Sequence, residues 1–315
     1  MTWNKLGLII SLPESEQRAS RHMQGPVAIP MEDRIRVFFA ARNREGKSYP
    51  ARFDVALDDP TRLLDLHAQP IMDAAPRGAF DDEGAMPACA VQCGEELWMY
   101  YSGWNRRVTV PYHNTTGLAI SRDGGLSFQR AFDGPLLDRT PQEPWMAVTP
   151  WVMREGSLWR MWYVSGLGWL PSGDRLEPIY TLRQAESDDG IHWRRDGRDI
   201  IPRRHEAEAI ARPCVVHHEG RYHMWYSYRD SADFRDGAGS YRIGYAHSAD
   251  GSTWHRADDF AGIQASQQGW DSNMLCYPYV VRVGERLLMF YNGNSFGQSG
   301  VGCAVWDGRL PGPHR

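Results

Sequence analysis

The residues of this 315-residue chain whose types and spacing suggest chemistry are its carboxylates. Asp81 and Asp82 precede Pro87, Glu143 precedes Pro150, Glu208 precedes Pro213 and Asp271 precedes Pro278, each by five to seven residues. Two carboxylates in different environments can break or move a glycosidic bond: one protonates the leaving oxygen, the other acts as base or nucleophile opposite it. Glu208 stands beside Ala207, Ala209 and Ile210, an apolar setting that raises a carboxyl pKa and suits the acid. Asp82, between Asp81 and Glu83, suits the base or nucleophile if Arg42 or Arg212 balances the local charge, and Asp81 is an equal alternative. Asp271 would be a third acid that orients a sugar or tunes the acid, with Trp270 beside it as a stacking face. For each acid the plainer reading is a hydrogen-bonding turn or cap.

Other side chains suit a ligand rather than a reaction. Arg42 and Arg212 can clamp a phosphate or carboxylate bidentately, or pair with the proposed acids. His22 and His205 can meet hydroxyls or a phosphate, Glu143 adds a further acid, and Trp104 with His113 suits a pocket rim. Asn292 and Asn294 in Tyr-Asn-Gly-Asn can hydrogen-bond sugar hydroxyls or form a turn, and the turn is favoured. HExxH, GxSxG and a phosphate-cradling glycine loop are all missing from the sequence. No metal site and no cofactor is expected, although a central structural cation would leave no sequence mark.

These groups need a scaffold, and the composition limits which one. The formal charge of −4 and the lack of a long Lys/Arg run exclude a nucleic-acid-binding stripe. No apolar run reaches the length of a membrane-spanning helix, and the stretch Leu6–Leu12 is followed at once by Pro13 and Glu14, without a small-residue cleavage pattern. A cytoplasmic protein is the expectation. Five scattered cysteines fit reduced thiols. Thirteen Trp and 14 Tyr are unusual, and point to repetitive aromatic packing or to a surface that stacks on flat ligands.

An internal repeat accounts for much of that excess. Pro87-Ala-Cys-Ala-Val leading to Met99-Tyr100-Tyr101 recurs from Pro150 to Met161-Trp162-Tyr163, from Pro213 to Met224-Trp225-Tyr226 and from Pro278 to Met289-Phe290-Tyr291. A degraded copy runs from Pro26 to Val37-Phe38-Phe39, so five copies stand 61 to 65 residues apart. Each opens as a hairpin, and three carry a second motif, at Ser121-Arg-Asp123-Gly, Ser187-Asp-Asp189-Gly and Ser248-Ala-Asp250-Gly. In that motif Asp accepts main-chain N–H groups and Gly supplies the positive φ, which makes it a turn rather than a reactive site. Four strands per copy predict one all-β domain over residues 1–315: a five-bladed β-propeller with four-stranded blades. The last copy lacks room for its outer strand, so Lys5–Ile10 is expected to supply it and close the ring.

On the Pro-x-Val-Val and Met-Trp-Tyr blades, the Ser-x-Asp-Gly turns and the upstream acids, the chain resembles the five-bladed propeller superfamily of arabinanases, β-xylosidases, invertases, levansucrases and β-mannoside phosphorylases. The resemblance covers nearly the whole chain, and its nearest impression is of bacterial relatives associated with surface-polysaccharide synthesis. It implies that first strands line a central channel and that two or three acids from different blades meet there. The chain departs from the pattern in two respects: its first copy offers His22 and no acid, and Asp82 and Glu208 lie five residues upstream of their prolines, farther than the family's acid. A glycoside hydrolase-like enzyme with a carbohydrate ligand is the first expectation. A glycosyltransferase or phosphorylase taking a phosphorylated or nucleotide-activated sugar on the arginines is the second, and a propeller that binds a glycan or protein without chemistry is the third. Arginines at the pocket would separate the second from the first. The oligomeric state is not legible.

Overall fold

In a computed structural model the structure describes residues 2–13, 21–235 and 237–308. The fold is all-β. After β1 (Trp3–Ile10), each sequence repeat forms one four-stranded antiparallel unit. The first is β2 (Arg21–Pro30), β3 (Arg34–Arg42), β4 (Ser48–Ala56) and β5 (Leu63–His67). The second is β6 (Gly84–Cys93), β7 (Glu96–Arg106), β8 (Tyr112–Ser121) and β9 (Gln129–Arg130). The third is β10 (Ala147–Glu155), β11 (Leu158–Ser172), β12 (Arg175–Ser187) and β13 (Arg194–Asp199). The fourth is β14 (Glu208–His218), β15 (Arg221–Asp230), β16 (Arg242–Ser248) and β17 (His255–Arg256). The last three strands are β18 (Cys276–Val283), β19 (Arg286–Asn292) and β20 (Val301–Trp306), and β1 pairs antiparallel with β20 from Trp3↔Trp306 to Ile10↔Val301. The expected N-terminal strand therefore completes the fifth unit. Units one and two merge into one eight-stranded sheet through a single parallel bridge, Ser48↔Gly84.

The two repeated motifs lock onto each other across units. The Ser-x-Asp-Gly turns form as expected: Asp250 Oδ1 accepts the N–H groups of Ser252 and Thr253, each at 2.8 Å, and Thr253 and Ser252 hold its carboxyl down to about 2. The carbonyl at the turn then receives a donor from the preceding unit's second strand. Arg36 donates to Gly124 at 2.6 Å, Tyr100 to Gly190 at 3.0 Å and Trp162 to Gly251 at 3.0 Å. These aromatic strands are buried on both faces between units, as their near-continuous apolar character requires. All five cysteines are free, and Cys89 and Cys214 join neighbouring first strands by accepting the N–H groups of Val152 and Val280.

First strands neighbour one another in a cycle: β2 touches β6, β6 touches β10, β10 touches β14, β14 touches β18 and β18 touches β2. Each carries a register shift at its repeat proline. In four of the five the residue before that proline is left-handed: Gly25 (φ 65°), Thr149 (φ 52°), Arg212 (φ 53°) and Tyr277 (φ 57°). Left-handed backbone is costly for non-glycine residues and collects at functional sites. These bulges set the floor of the cavity that follows.

Candidate functional site

A cavity of about 490 Å³ opens on the bulged first strands of all five units, and Gly25, Met86, Thr149, Arg212 and Tyr277, the residues before the five prolines, all line it. Its walls come from the two long hairpins, β7–β8 and β11–β12, and from the connection after β15. Sequence reasoning named four of its residues: His22, Arg42, Trp104 and Arg212.

Arg212 crosses the floor. Its guanidinium donates to the main-chain carbonyls of Pro87 (2.9 Å), Gly25 (2.8 Å) and Pro26 (3.1 Å), tying three units together. A Cβ on Gly25 would lie 2.9 to 3.1 Å from that guanidinium, so glycine is needed there for the close approach as well as for its φ. Arg42 lies over the Trp104 ring at 5.9 Å and donates to Gln24 Oε1 at 3.4 Å. Trp104 donates to Ser48 Oγ at 2.6 Å. Burial lowers the pKa of both Arg42 and Arg212, with no carboxylate among the described residues to offset it. Both nonetheless stay charged, because arginine is not deprotonated in proteins.

Arg229 is the third arginine of the lining without a carboxylate partner among the described residues. Burial opposes its charge, but the neighbouring Tyr180 and Tyr241 more than offset that, and its pKa rises. Its Nε donates to Tyr180 (3.2 Å) and Tyr241 (3.0 Å), Nη1 to Ser231 and Nη2 to the Pro178 carbonyl, with the Phe234 ring 3.7 Å from the guanidinium. The fourth arginine, Arg235, grips both oxygens of Glu177 at 2.6 and 3.0 Å. Glu177 is the single carboxylate among the described lining residues, so the cavity carries a surplus of positive charge. His22 has φ 66°, and burial, then Arg42 and Arg21, push its pKa down to about 4, which leaves it neutral at pH 7 with an unpartnered Nδ1.

The expected acids are elsewhere. Asp81, Asp82, Glu208 and Asp271 do not line this cavity, and the proposed pair of Asp82 with Glu208 does not form there. The buried acids are staples within their own units, each linking the repeat tyrosine or an outer-strand cation to the loop before the first strand. Asp81 accepts from Tyr101 (3.0 Å) and Arg130 (2.8 Å). Glu143 takes Tyr163 (2.8 Å) and Ser165 (2.7 Å), with Arg195 3.5 Å away. Asp271 takes Lys5 (2.7 Å) and Tyr291 (3.2 Å). In unit four the role is divided: Glu208 is gripped by Arg256 at 2.6 and 2.8 Å, and Asp258 takes Tyr226 and Arg256. Where the repeat has Phe39 in place of tyrosine, the sequence has no acid either: Ala19, Ser20 and Arg21 occupy the corresponding positions. Asp82 accepts the Gly78 N–H at 2.8 Å and, with Asp81, lines a second cavity of about 260 Å³ between units one and two.

The remaining candidates also lie outside the cavity lining. His113 pairs with Asp138 at 2.8 Å, and His205 is half exposed 3.9 Å from Asp230. Trp270 stacks on Tyr291 at 5.2 Å, with Gly293 and Gly302 leaving room for its ring. Asn292 joins the last unit to the first by accepting the Gly25 N–H at 2.7 Å and donating to the Met23 carbonyl. Asn294 caps a turn through the N–H groups of Asn273 and Met274. Among the described residues no group of three His, Cys, Asp or Glu side chains is placed to hold a metal ion, and no helix is long and apolar enough to cross a membrane.

Sequence reasoning missed Gln24, Tyr112, Glu177, Tyr180, Arg229, Arg235, Tyr241 and Tyr277. Of these only Tyr277 stands directly before a repeat proline, the position that lines the cavity in every unit; the others share no sequence position that could have found them.

No family model matches the chain. Among solved structures it is similar to a glycoside hydrolase (TM-score 0.74, 17% identity, 99% of this chain and 95% of the other) and to a family-43 glycoside hydrolase (0.66, 17%, 93% and 96%). It is also similar to a structure described under the GH130 family of mannoside phosphorylases, which contains glycoside hydrolases that target β-1,2 mannosidic linkages in Candida mannan (0.69, 15%, 98% and 94%). At these identities the likeness is one of fold, the all-β propeller fold of such enzymes. In sequence the chain is 37% identical over 310 residues, 98% of its length and 100% of theirs, to the uncharacterized proteins Rv1502 and MT1551 of Mycobacterium tuberculosis strains ATCC 25618/H37Rv and CDC 1551. With that identity along essentially its whole length, the chain belongs to the family of these two mycobacterial proteins.

Proposed function

We propose that residues 1–315 form one five-bladed β-propeller whose central cavity takes an anionic carbohydrate, a sugar bearing a phosphoryl or carboxylate group, and acts on its glycosidic or glycosyl-phosphate bond. Support for the architecture is the cycle of first strands and the pairing of β1 with β20. The observation that carries the function is the charge of the cavity: three lining arginines, Arg212 and Arg229 buried and Arg42 half-buried, without a carboxylate partner among the described residues, against one carboxylate already held by a fourth. A hydrolase that works with two acids needs a second carboxylate, and the described lining does not supply one. Transfer from a glycosyl phosphate needs only one: the acceptor hydroxyl oxygen bonds to the anomeric carbon, the C–O bond to phosphate breaks, and the proton passes to Glu177. The arginines then stabilise the departing anion. Free thiols, four of them buried, support a reducing compartment and hence a role in making glycans inside the cell.

The test is turnover of a panel of glycosyl 1-phosphates with sugar acceptors, read as phosphate release, beside hydrolysis of neutral aryl glycosides. Phosphate release that is lost in Glu177→Gln and kept in Asp82→Asn supports the reading. Hydrolysis of neutral glycosides that survives Glu177→Gln and is lost in Asp82→Asn or Glu208→Gln overturns it and restores the paired acids.

A further inference from the structure

The cavity's hydrogen-bond polarity is fixed from behind. Arginine can only donate, so Arg42 at 3.4 Å makes Gln24 turn its oxygen toward the guanidinium and its amide N–H toward Tyr277, whose hydroxyl oxygen accepts at 3.2 Å. Tyr277 has one proton and its oxygen is engaged, so the proton is left for the cavity it lines. A second chain runs the same way. Arg229 Nε donates to both Tyr180 and Tyr241, whose hydroxyls lie 2.7 Å apart and share one hydrogen bond. Two protons serve that pair and one is used between them, so the other has no acceptor among the described residues. Tyr112, also in the lining, has no hydroxyl partner among the described residues. Burial raises the pKa of Tyr112, Tyr241 and Tyr277, so all three remain protonated donors at neutral pH.

We propose that Arg42–Gln24–Tyr277 and Arg229–Tyr180/Tyr241 are two fixed-polarity relays that present hydroxyl protons, never lone pairs, so that the cavity selects an acceptor-only oxyanion over a neutral hydroxyl-bearing group. Gln24 and Arg229 are positioning residues; the tyrosines touch the ligand. This rests on the anionic-carbohydrate reading and adds its selectivity. A neutral sugar hydroxyl needs an acceptor as well as a donor, and these relays supply only donors. An oxyanion accepts from every side, and its hydrogen bonds gain from its charge.

The experiment is calorimetric binding to the whole chain with four probes: inorganic phosphate, glucose 6-phosphate, glucuronate and glucose. The first three separate a free phosphate, a sugar phosphate and a sugar carboxylate; glucose is the neutral control. Wild type is expected to bind at least one of the three anions and to discriminate against glucose. Tyr277→Phe keeps the ring and should weaken the anion about tenfold with an unchanged melting temperature. Gln24→Glu should weaken it further, because a carboxylate accepts the Tyr277 proton and turns the hydroxyl's lone pairs to the cavity. The negative charge that Gln24→Glu adds acts whether or not Tyr277 has its hydroxyl, so a double-mutant cycle separates the two effects: Gln24→Glu should cost less when residue 277 is already Phe. A wild type that binds anions equally well in Tyr277→Phe and Gln24→Glu, or a cycle without coupling, overturns the relays and leaves the anionic reading standing. A wild type that binds none of the three anions overturns both.

Discussion

The blade staples and the central cavity use the same side-chain types with opposite charge balance. In the staples every buried acid meets a cation: Asp81 meets Arg130, Glu143 meets Arg183 and Arg195, Glu208 meets Arg256 and Asp271 meets Lys5. In the cavity three arginines, two of them buried, meet carbonyls, an amide oxygen and hydroxyls instead. A neutralised pair is complete within the fold, and its net contribution to stability is small beside the cost of breaking it. An uncompensated cation is complete only when a ligand brings the missing charge. The difference separates scaffold from site more clearly than residue type does.

The largest effect should come from breaking a staple. Glu208→Ala leaves Arg256 buried with only Asp258 to balance it and should cost about 3–5 kcal/mol in urea unfolding. Anion binding in the cavity should persist wherever the variant remains folded. Gly25→Ala comes next and strikes the other region: φ 65° and a Cβ 2.9 Å from Arg212 should cost about 1–3 kcal/mol. Unlike Glu208→Ala, it should also weaken anion binding, because the guanidinium must shift. Phe39→Tyr restores the repeat tyrosine in the one unit whose sequence has no acid for it. Its buried hydroxyl should go unmet and cost about 1 kcal/mol or slightly more, with cavity binding unchanged. Equal binding losses in Glu208→Ala and Gly25→Ala would erase the distinction between the two regions.

The repeat made the units legible because each copy solves the same packing problem with the same residues, from the Met-Trp-Tyr strands to the Ser-x-Asp-Gly turns. The same regularity misled the search for a site. An acid that recurs upstream of four prolines is what repeated packing demands, and its loss from the first copy together with the tyrosine, at Phe39, is visible in the sequence. The cavity residues follow the opposite logic. Gly25, Met86, Thr149, Arg212 and Tyr277 share one position and no chemistry, so no motif marks them. Arg229 and Tyr241 meet where β15 pairs with β16, and Tyr180 reaches both from the neighbouring unit, which spacing along the chain cannot reveal.

A pH titration tests the two regions with one chemical group. His22 in the cavity and His223 in unit four are both held down to about 4, in each case chiefly by burial. In the unfolded chain each titrates near 6.5. Between those values the unfolded state binds a proton that the folded state does not, so stability falls as pH drops from 6.5 toward 4, and these two groups add no further loss below that. His223 Nδ1 lies 2.7 Å from the Tyr245 hydroxyl, outside the cavity lining, whereas His22 shares the cavity with Arg42. Sulfate keeps its charge across this range, and when bound in the cavity it favours protonated His22. Saturating sulfate should therefore flatten part of the slope in urea titrations from pH 6.5 to 4, and sulfate should bind more tightly as the pH falls. His22→Gln should remove the sulfate-sensitive part of the slope, and His223→Gln only the insensitive part. A slope that sulfate leaves unchanged in wild type would mean that the cavity cation surplus and His22 do not share a ligand.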